Sequence, residues 1–288
     1  MAERLAEVEA RIESVHQLSS VIGAVRAIAA ARLREAKARL PGIQTYARTI
    51  GEAIAQALAL VPQAPVNAAK GGNRKSIVLA IGAEQGFVGN FNGRLLDALT
   101  PLTRSSRTPS CELLLVGSHA ASAASERVLT VNWSAPMATH AQEIAGLANR
   151  IADALFDRIA NGEVSEVLLV HAATDAQQPE SPVQVRPLLP FDFSRFAPLA
   201  RAQPPIIQLP PERLLAQLAD EYVFAEICEA LVLSFAAENE ARMQAMVAAR
   251  ENVARRSDEL AARARLMRQE QITEEVIELA SGGRRAIP

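Results

Sequence analysis

Cysteine is scarce in this chain: Cys111 and Cys228 are the only two among 288 residues. They lie far apart in apolar surroundings, so a disulfide framework is excluded and buried reduced thiols are expected. Aromatics reach 4%, with a single Trp, while 49% of residues are hydrophobic and many of those are Ala. Such a chain favours helices in close contact over a large aromatic core. No uncharged apolar run approaches the ~18 residues of a membrane span, and Met1-Ala-Glu-Arg4 lacks the apolar stretch of a signal peptide. A cytoplasmic location without membrane insertion is the expectation. A net charge of -2 excludes a general nucleic-acid binder, for which a strongly basic domain is expected. His16, His119, His140 and His171 have no metal-ligand spacing. No G-x-S-x-G motif, Cys-centred nucleophile or catalytic carboxylate pair occurs. No catalytic, cofactor-binding or metal-binding residue is therefore expected.

Proline and glycine are missing from one long stretch. After Pro211 no Pro occurs until Pro288, and no Gly until Gly282 and Gly283. Ala, Glu, Arg, Leu, Gln and Met fill the interval, all good helix formers. Pro211 suits a first helical position, and the glycine pair suits a stop. Some 70 helical residues would measure roughly 105 Å, more than a compact domain can enclose. Its first part, with Val223, Phe224, Ile227, Cys228, Leu231, Val232 and Phe235, is apolar around a wide arc and should be deeply covered. Farther on, a thinner seam steps through Met243, Met246, Arg250, Val253, Ser257, Leu260, Ala264 and Met267.

A second helical pattern runs from Ala2 to about Leu60, with Leu5, Val8, Ile12, Val15, Leu18, Ile22, Val25 and Ile28 on one face. Pro41-Gly42 should bend or briefly break it. Two long helices with unburied stripes most simply cover one another as an antiparallel pair whose facing positions add to about 270. The end of the second would then overhang as a single helix, leaving Ile272, Val276, Ile277 and Leu279 in need of a sleeve from other chains.

Between them the character changes. Ser76–Ile81, Leu113–Val116, Val128–Trp133 and Val167–His171 read as strands, and Val183–Leu189 as an edge strand limited by Pro182 and Pro187. Helical patterns cover about Asn90–Leu102 and His140–Ile159. This alternation predicts an α/β (α+β) chain: a long antiparallel coiled coil formed by both termini, with an inserted Rossmann-like domain. The expected division is a discontinuous shaft of residues 1–61 and 211–288, an insert at 74–190, and linkers at 62–73 and 191–210. The loop Gly82-Ala-Glu-Gln-Gly86-Phe-Val-Gly89-Asn-Phe-Asn92 has neither the G-x-G-x-x-G nor the P-loop spacing. It reads as a tight strand-to-helix turn with Asn92 near the helix start.

Charge along the helices is uneven. Arg26, Arg32, Arg34, Lys37 and Arg39 are opposed by Glu35 alone within their stretch, and Arg242, Arg250, Arg255, Arg256, Arg263, Arg265 and Arg268 continue the excess. For one Arg a solvated helix face explains this. As a set they form a belt suited to an acidic surface.

Three segments, RIESVHQLSSVIGAVRAIAAARLREAK, GAEQGFVGNFN and AENEARMQAM followed by RQEQITEEVIELASGG, together resemble the gamma subunit of F-type ATP synthases. The ending is the most specific, with Ile272, Thr273, Glu275, Glu278 and Gly282 at the family's closing spacing. Gly283 stands where the family usually has Ala, and Glu84, Gln85 and Asn90 where it usually has an Asp-Arg pair and a second Gly. These departures point to a divergent set such as the alternate, sodium-linked ATPases of bacteria.

The resemblance implies a central-stalk rotor at the cytoplasmic face of a bacterial inner membrane. Its coiled coil would enter the ring of alpha and beta subunits, and its α/β domain would touch the epsilon subunit and the c-ring. It further implies that Arg242, Gln269, Thr273 and Glu275 contact beta-subunit loops, with Glu238 supporting that contact. Arg26, Arg32 and Arg34 would face an acidic lever of beta, and Glu84, Gln85 and Arg268 complete the implied contacts. Two rivals compete: a free-standing coiled-coil structural protein with a hinge-like globular insert, and a nucleotide-dependent enzyme using the insert.

Overall fold

The computed structural model describes residues 5–61, 75–103, 111–160, 164–173, 182–197 and 205–282. They form a mixed α/β chain. In order come α1 (Leu5–Leu58), β1 (Lys75–Ile81), α2 (Phe91–Thr103), β2 (Cys111–Val116), α3 (Ser118–Glu126), β3 (Trp133–Ala135), α4 (Ile144–Ala160), β4 (Val164–Ala172), β5 (Val183–Leu189) and α5 (Pro211–Gly282). Short 3-10 turns sit at Ala141–Glu143 and Phe193–Arg195. The expected linker 62–73, and residues 198–204 of the expected linker 191–210, lie outside the described residues. No helix among the described residues is long and apolar enough to cross a membrane.

The chain divides into two compact units, Ala29–Arg242 and Met1–Ile28 with Met243–Pro288. In the first, the five strands are ordered β3-β2-β1-β4-β5. The first four run parallel and β5 pairs antiparallel to β4. β1 and β2 are short apolar runs buried at both faces, the expected signature of central parallel strands. One core layer joins Val78, Ala80, Leu95, Leu99, Leu113 and Leu115 between the sheet and α2. The segment of α5 in this unit is covered as its wide apolar arc requires: Ala230, Ile227 and Leu231 are fully buried and Phe235 nearly so. Burial raises the Cys228 thiol to about 11, so it stays protonated at neutral pH.

A knot of rings seats the chain on its way into α5. Phe191 stacks on Phe196 at 5.8 Å, and both meet the edge of Tyr222. Arg195 lies over the same Tyr222 ring at 5.6 Å and pairs with the buried Glu226 at 2.9 Å. The Phe196 ring would stand 3.0 Å from a Cβ at position 51. Gly51 on α1 is therefore the contact that admits the ring. Nearby, Tyr46 donates to Glu221 at 2.7 Å and Gln44 to Glu229 at 3.0 Å. The bond to Glu221, ahead of burial, pushes the Tyr46 hydroxyl up to about 12.

In the second unit, Val8, Leu260 and Ala264 form a buried cluster flanked by Leu5, Ile12, Val15 and Met267. Arg268 donates to Glu9 at 2.6 Å beside it. Covered positions on α1 follow Leu5, Val8, Ile12, Val15, Ser19, Ile22 and Val25. The expected face is thus displaced at two places: Leu18 and Ile28 are about half exposed, and Ser19 takes the inner position instead of Leu18. On α5 the seam likewise passes through Ala249, leaving Arg250 exposed.

Three further expectations need correction. α1 continues without interruption through Pro41. Val128 does not begin a strand: it is 90% exposed with φ 57, and pairing with β2 starts only at Trp133. α3 was not expected at all, since its SHAASAASE sequence carries no large apolar residue.

Candidate functional site

An open sheet of this order has a crevice where the connection reverses, between the carboxyl ends of β1 and β4, and ligands of such folds usually bind there. Here α5 fills it. Ala237 packs with Ala83, Val88, Phe91 and Ala172, with Ala241 against the same cluster. Ser234 Oγ donates to the carbonyl of Ile81 at 3.0 Å, closing the end of β1.

The loop after β1 is the tight strand-to-helix turn expected from its glycines. Asn92, in the first turn of α2, accepts from the Ala83 N–H at 3.0 Å through Oδ1. Its Nδ2 donates to His119 Nδ1 at 2.9 Å. The crossing of this turn with the start of α3 leaves no room for side chains. A Cβ on Gly82 would stand 2.3 Å from that of Ala120, and one on Gly117, which has φ +106, would lie 2.7 Å from the carbonyl oxygens of Gly82 and Ala83. Gly117→Ala is therefore expected to destabilise the chain by more than about 2 kcal/mol, from backbone strain plus displacement of that turn. Urea unfolding of the full chain measures it, and a midpoint equal to that of the native chain would be the contrary result.

Beyond Ala83 the loop is gripped from two sides. From α5, Glu238 accepts the backbone N–H groups of Glu84 and Gln85 at 3.2 and 3.4 Å. Arg242 donates from Nε to Gly86 O at 3.2 Å and from Nη2 to Gln85 O at 3.1 Å. The two side chains pair at 2.6 Å, and Asn239 accepts from Arg242 Nη1 at 3.2 Å. Glu238 and Arg242 are each 4% exposed. From the other side, the Glu84 carboxylate accepts from Ser118 N and Oγ at 2.9 and 2.7 Å and from Met137 N at 2.7 Å. It thereby supplies the acceptor that the first turn of α3 lacks, because Gly117 has no side chain to cap it. Outward of this grip stands Phe87, 72% exposed with φ 60.

The residues singled out in the sequence fall into three places. Glu84, Gln85, Glu238 and Arg242 come together in this loop cluster, and Arg32 joins them by donating to Gln85 Oε1 at 3.4 Å. Arg26 and Arg34 are exposed on α1. Arg268, Gln269, Thr273 and Glu275 are exposed along the end of α5, where Thr273 donates to the Gln269 carbonyl at 2.8 Å and Glu275 accepts from Gln271 at 3.3 Å. Sequence reasoning missed the partners Ser118, Met137 and Asn239. The available signal was an acid and an arginine four residues apart inside an otherwise apolar arc, a spacing that invites pairing on one helix face.

Comparison with known proteins agrees with this architecture. The family model described as ATP synthase matches residues 4–284. The ATP synthase gamma chain of Rhodospirillum rubrum is 28% identical over 300 residues, covering 96% of this chain and 98% of its own. That of Frankia casuarinae is 28% identical over 292 residues, covering 98% and 97%. In fold, the chain is similar to one in the Euglena gracilis mitochondrial ATP synthase solved with OSCP, F1 and c-ring, with a TM-score of 0.67 at 12% identity over 99% of this chain and 96% of that one. These relatives do not favour a free-standing structural protein. With a family match spanning nearly its whole length, the chain belongs to the ATP synthase gamma family.

Proposed function

We propose that the chain is the central-stalk rotor of an F-type ATP synthase, coupling ion flow through the membrane sector to ATP synthesis or hydrolysis in the head. Residues 1–61 and 211–288 act as an antiparallel coiled-coil shaft, and residues 74–190 as the inserted domain. The pairing of Glu9 with Arg268 in one unit, and of Gln44 and Tyr46 with Glu229 and Glu221 in the other, supports the antiparallel arrangement. The shaft turns within the ring of alpha and beta subunits, while the domain rests on epsilon and the c-ring at the cytoplasmic face of a bacterial inner membrane.

The observation that carries this reading is the bare end of α5. Leu266, Ile272, Val276, Ile277 and Leu279 are 62, 55, 58, 61 and 78% exposed. Fully covering one such side chain is worth roughly 1.5–3 kcal/mol, so a surrounding collar of subunits gives this segment the partner it lacks. Gln269, Thr273 and Glu275 then meet beta-subunit loops, and Arg26, Arg32 and Arg34 face acidic side chains of beta. The beta subunits, biased in turn by different faces of the shaft, shift population among their nucleotide-binding states. Catalysis takes place in the head, with this chain supplying no reacting group.

Deleting residues 269–288 and reconstituting the complex tests the reading. Weaker assembly and less ion transport per ATP are expected. Assembly and coupling equal to those of the full chain would count against it, as would failure of the chain to co-purify with alpha and beta subunits.

A further inference from the structure

We propose that Glu238 and Arg242 are positioning residues that lock α5 in rotation against the α/β domain, acting through the backbone of residues 84–86. The proposal rests on the rotor reading and assigns this pair a task within the chain. Around the clasp, Ala237 and Ala241 of α5 pack against Ala83, Val88, Phe91 and Ala172 at the carboxyl end of the sheet. On the helix side this contact is made by two short alanine methyls. Two short methyls give the helix little purchase on the cluster, so the contact resists separation better than it resists rotation of the helix about its own axis.

The polar clasp has the opposite character. Arg242 donates to two successive carbonyls, Gln85 O and Gly86 O, while Glu238 accepts from the N–H groups of Glu84 and Gln85. All four bonds span more than 150 residues of chain and are directional, so a turn of α5 stretches every one of them together. Burying two charges is a poor way to gain stability, because well-packed apolar residues of the same volume usually do as well or better. A buried pair that makes four hydrogen bonds to one loop is suited to fixing an orientation. Glu84 then passes the load to α3 and to the backbone at Met137.

Two variants test this in the full chain and in the assembled complex. Glu238→Gln removes the ion pair but keeps the volume, and Arg242→Lys keeps a cation without the fork that reaches both carbonyls. Hydrogen exchange of the Glu84 and Gln85 amides is expected to quicken about tenfold in Glu238→Gln, the loss of hydrogen bonds to a charged acceptor. Exchange within β1 should stay as it is in the native chain. In the complex, both variants should move fewer ions per ATP hydrolysed, whatever their hydrolysis rate, a ratio that general destabilisation does not alter in the molecules that remain assembled. Unchanged loop exchange in Glu238→Gln, or a native ratio in both variants, would overturn the proposal. If the unmodified chain fails to couple ion transport to ATP in the complex, the rotor reading falls and takes the proposal with it; the unmodified control therefore separates the two failures.

Discussion

Arg242→Leu is expected to lower the free energy of unfolding by about 3–5 kcal/mol, the usual cost of stranding one member of a buried ion pair. Glu238, 4% exposed, would keep its two backbone donors but lose the Arg242 cation paired with it at 2.6 Å. The carbonyls of Gln85 and Gly86 would lose their arginine donors as well. Replacing both charges in Glu238→Leu with Arg242→Leu should cost less than the two single changes together, since residues in one network couple by about 0.5–3 kcal/mol. Chemical denaturation of the four chains completes the cycle. Strict additivity would mean that the pair does not act as a unit.

The second large effect depends on pH. His171, near the end of β4, is fully buried, with Nδ1 bonded to the Ala172 carbonyl at 3.1 Å and Nε2 without a hydrogen-bond partner among the described residues. Burial is the main cause that lowers its pKa to about 4; Arg186 on β5 lowers it further, while the Ala172 bond and Glu229 of α5 oppose the shift. In the unfolded chain the imidazole takes up its proton near pH 6.5, whereas in the folded chain it stays neutral until about pH 4. The unfolded state therefore binds more protons throughout that window, and stability falls as the pH drops through it. The loss is on the order of 3 kcal/mol once the pH is below 4. His171→Leu should remove this component, so the stability difference between variant and native chain should shift in the variant's favour by that amount between pH 7 and pH 4. A difference independent of pH would sink the assignment.

The long helices were legible because composition and punctuation agreed: Pro211 starts α5, and the described helix reaches Gly282 with no proline and no other glycine after its first residue. Which residues face inward was less legible. At Leu18 and Ser19 the hydrophobic pattern favours Leu18, yet Ser19 is the more covered. A rhythm of threes and fours from Val15 to Ile22 passes equally well through either position, so spacing alone does not choose between them. Pro41 misled in the opposite sense, since the helix accommodates it. In the insert, β1, β2 and β4 announced themselves as apolar runs. Val128 looked like part of another run, but its positive φ belongs to the turn after α3. The loop cluster was hidden for a different reason. Arg242 meets Gln85 across 157 positions, and only the fold brings such distant residues together.

The seating of α5 over β1 and β4 also bears on what this scaffold can still become. A dinucleotide or phosphate ester entering the place where its topological cousins hold theirs would first have to evict Ala237, Ala241 and the salt-linked residues beside them. Occupancy from within thus makes the mouth of the sheet a socket for the chain's own axle, and the architecture gains mechanical continuity in the space that others devote to chemistry.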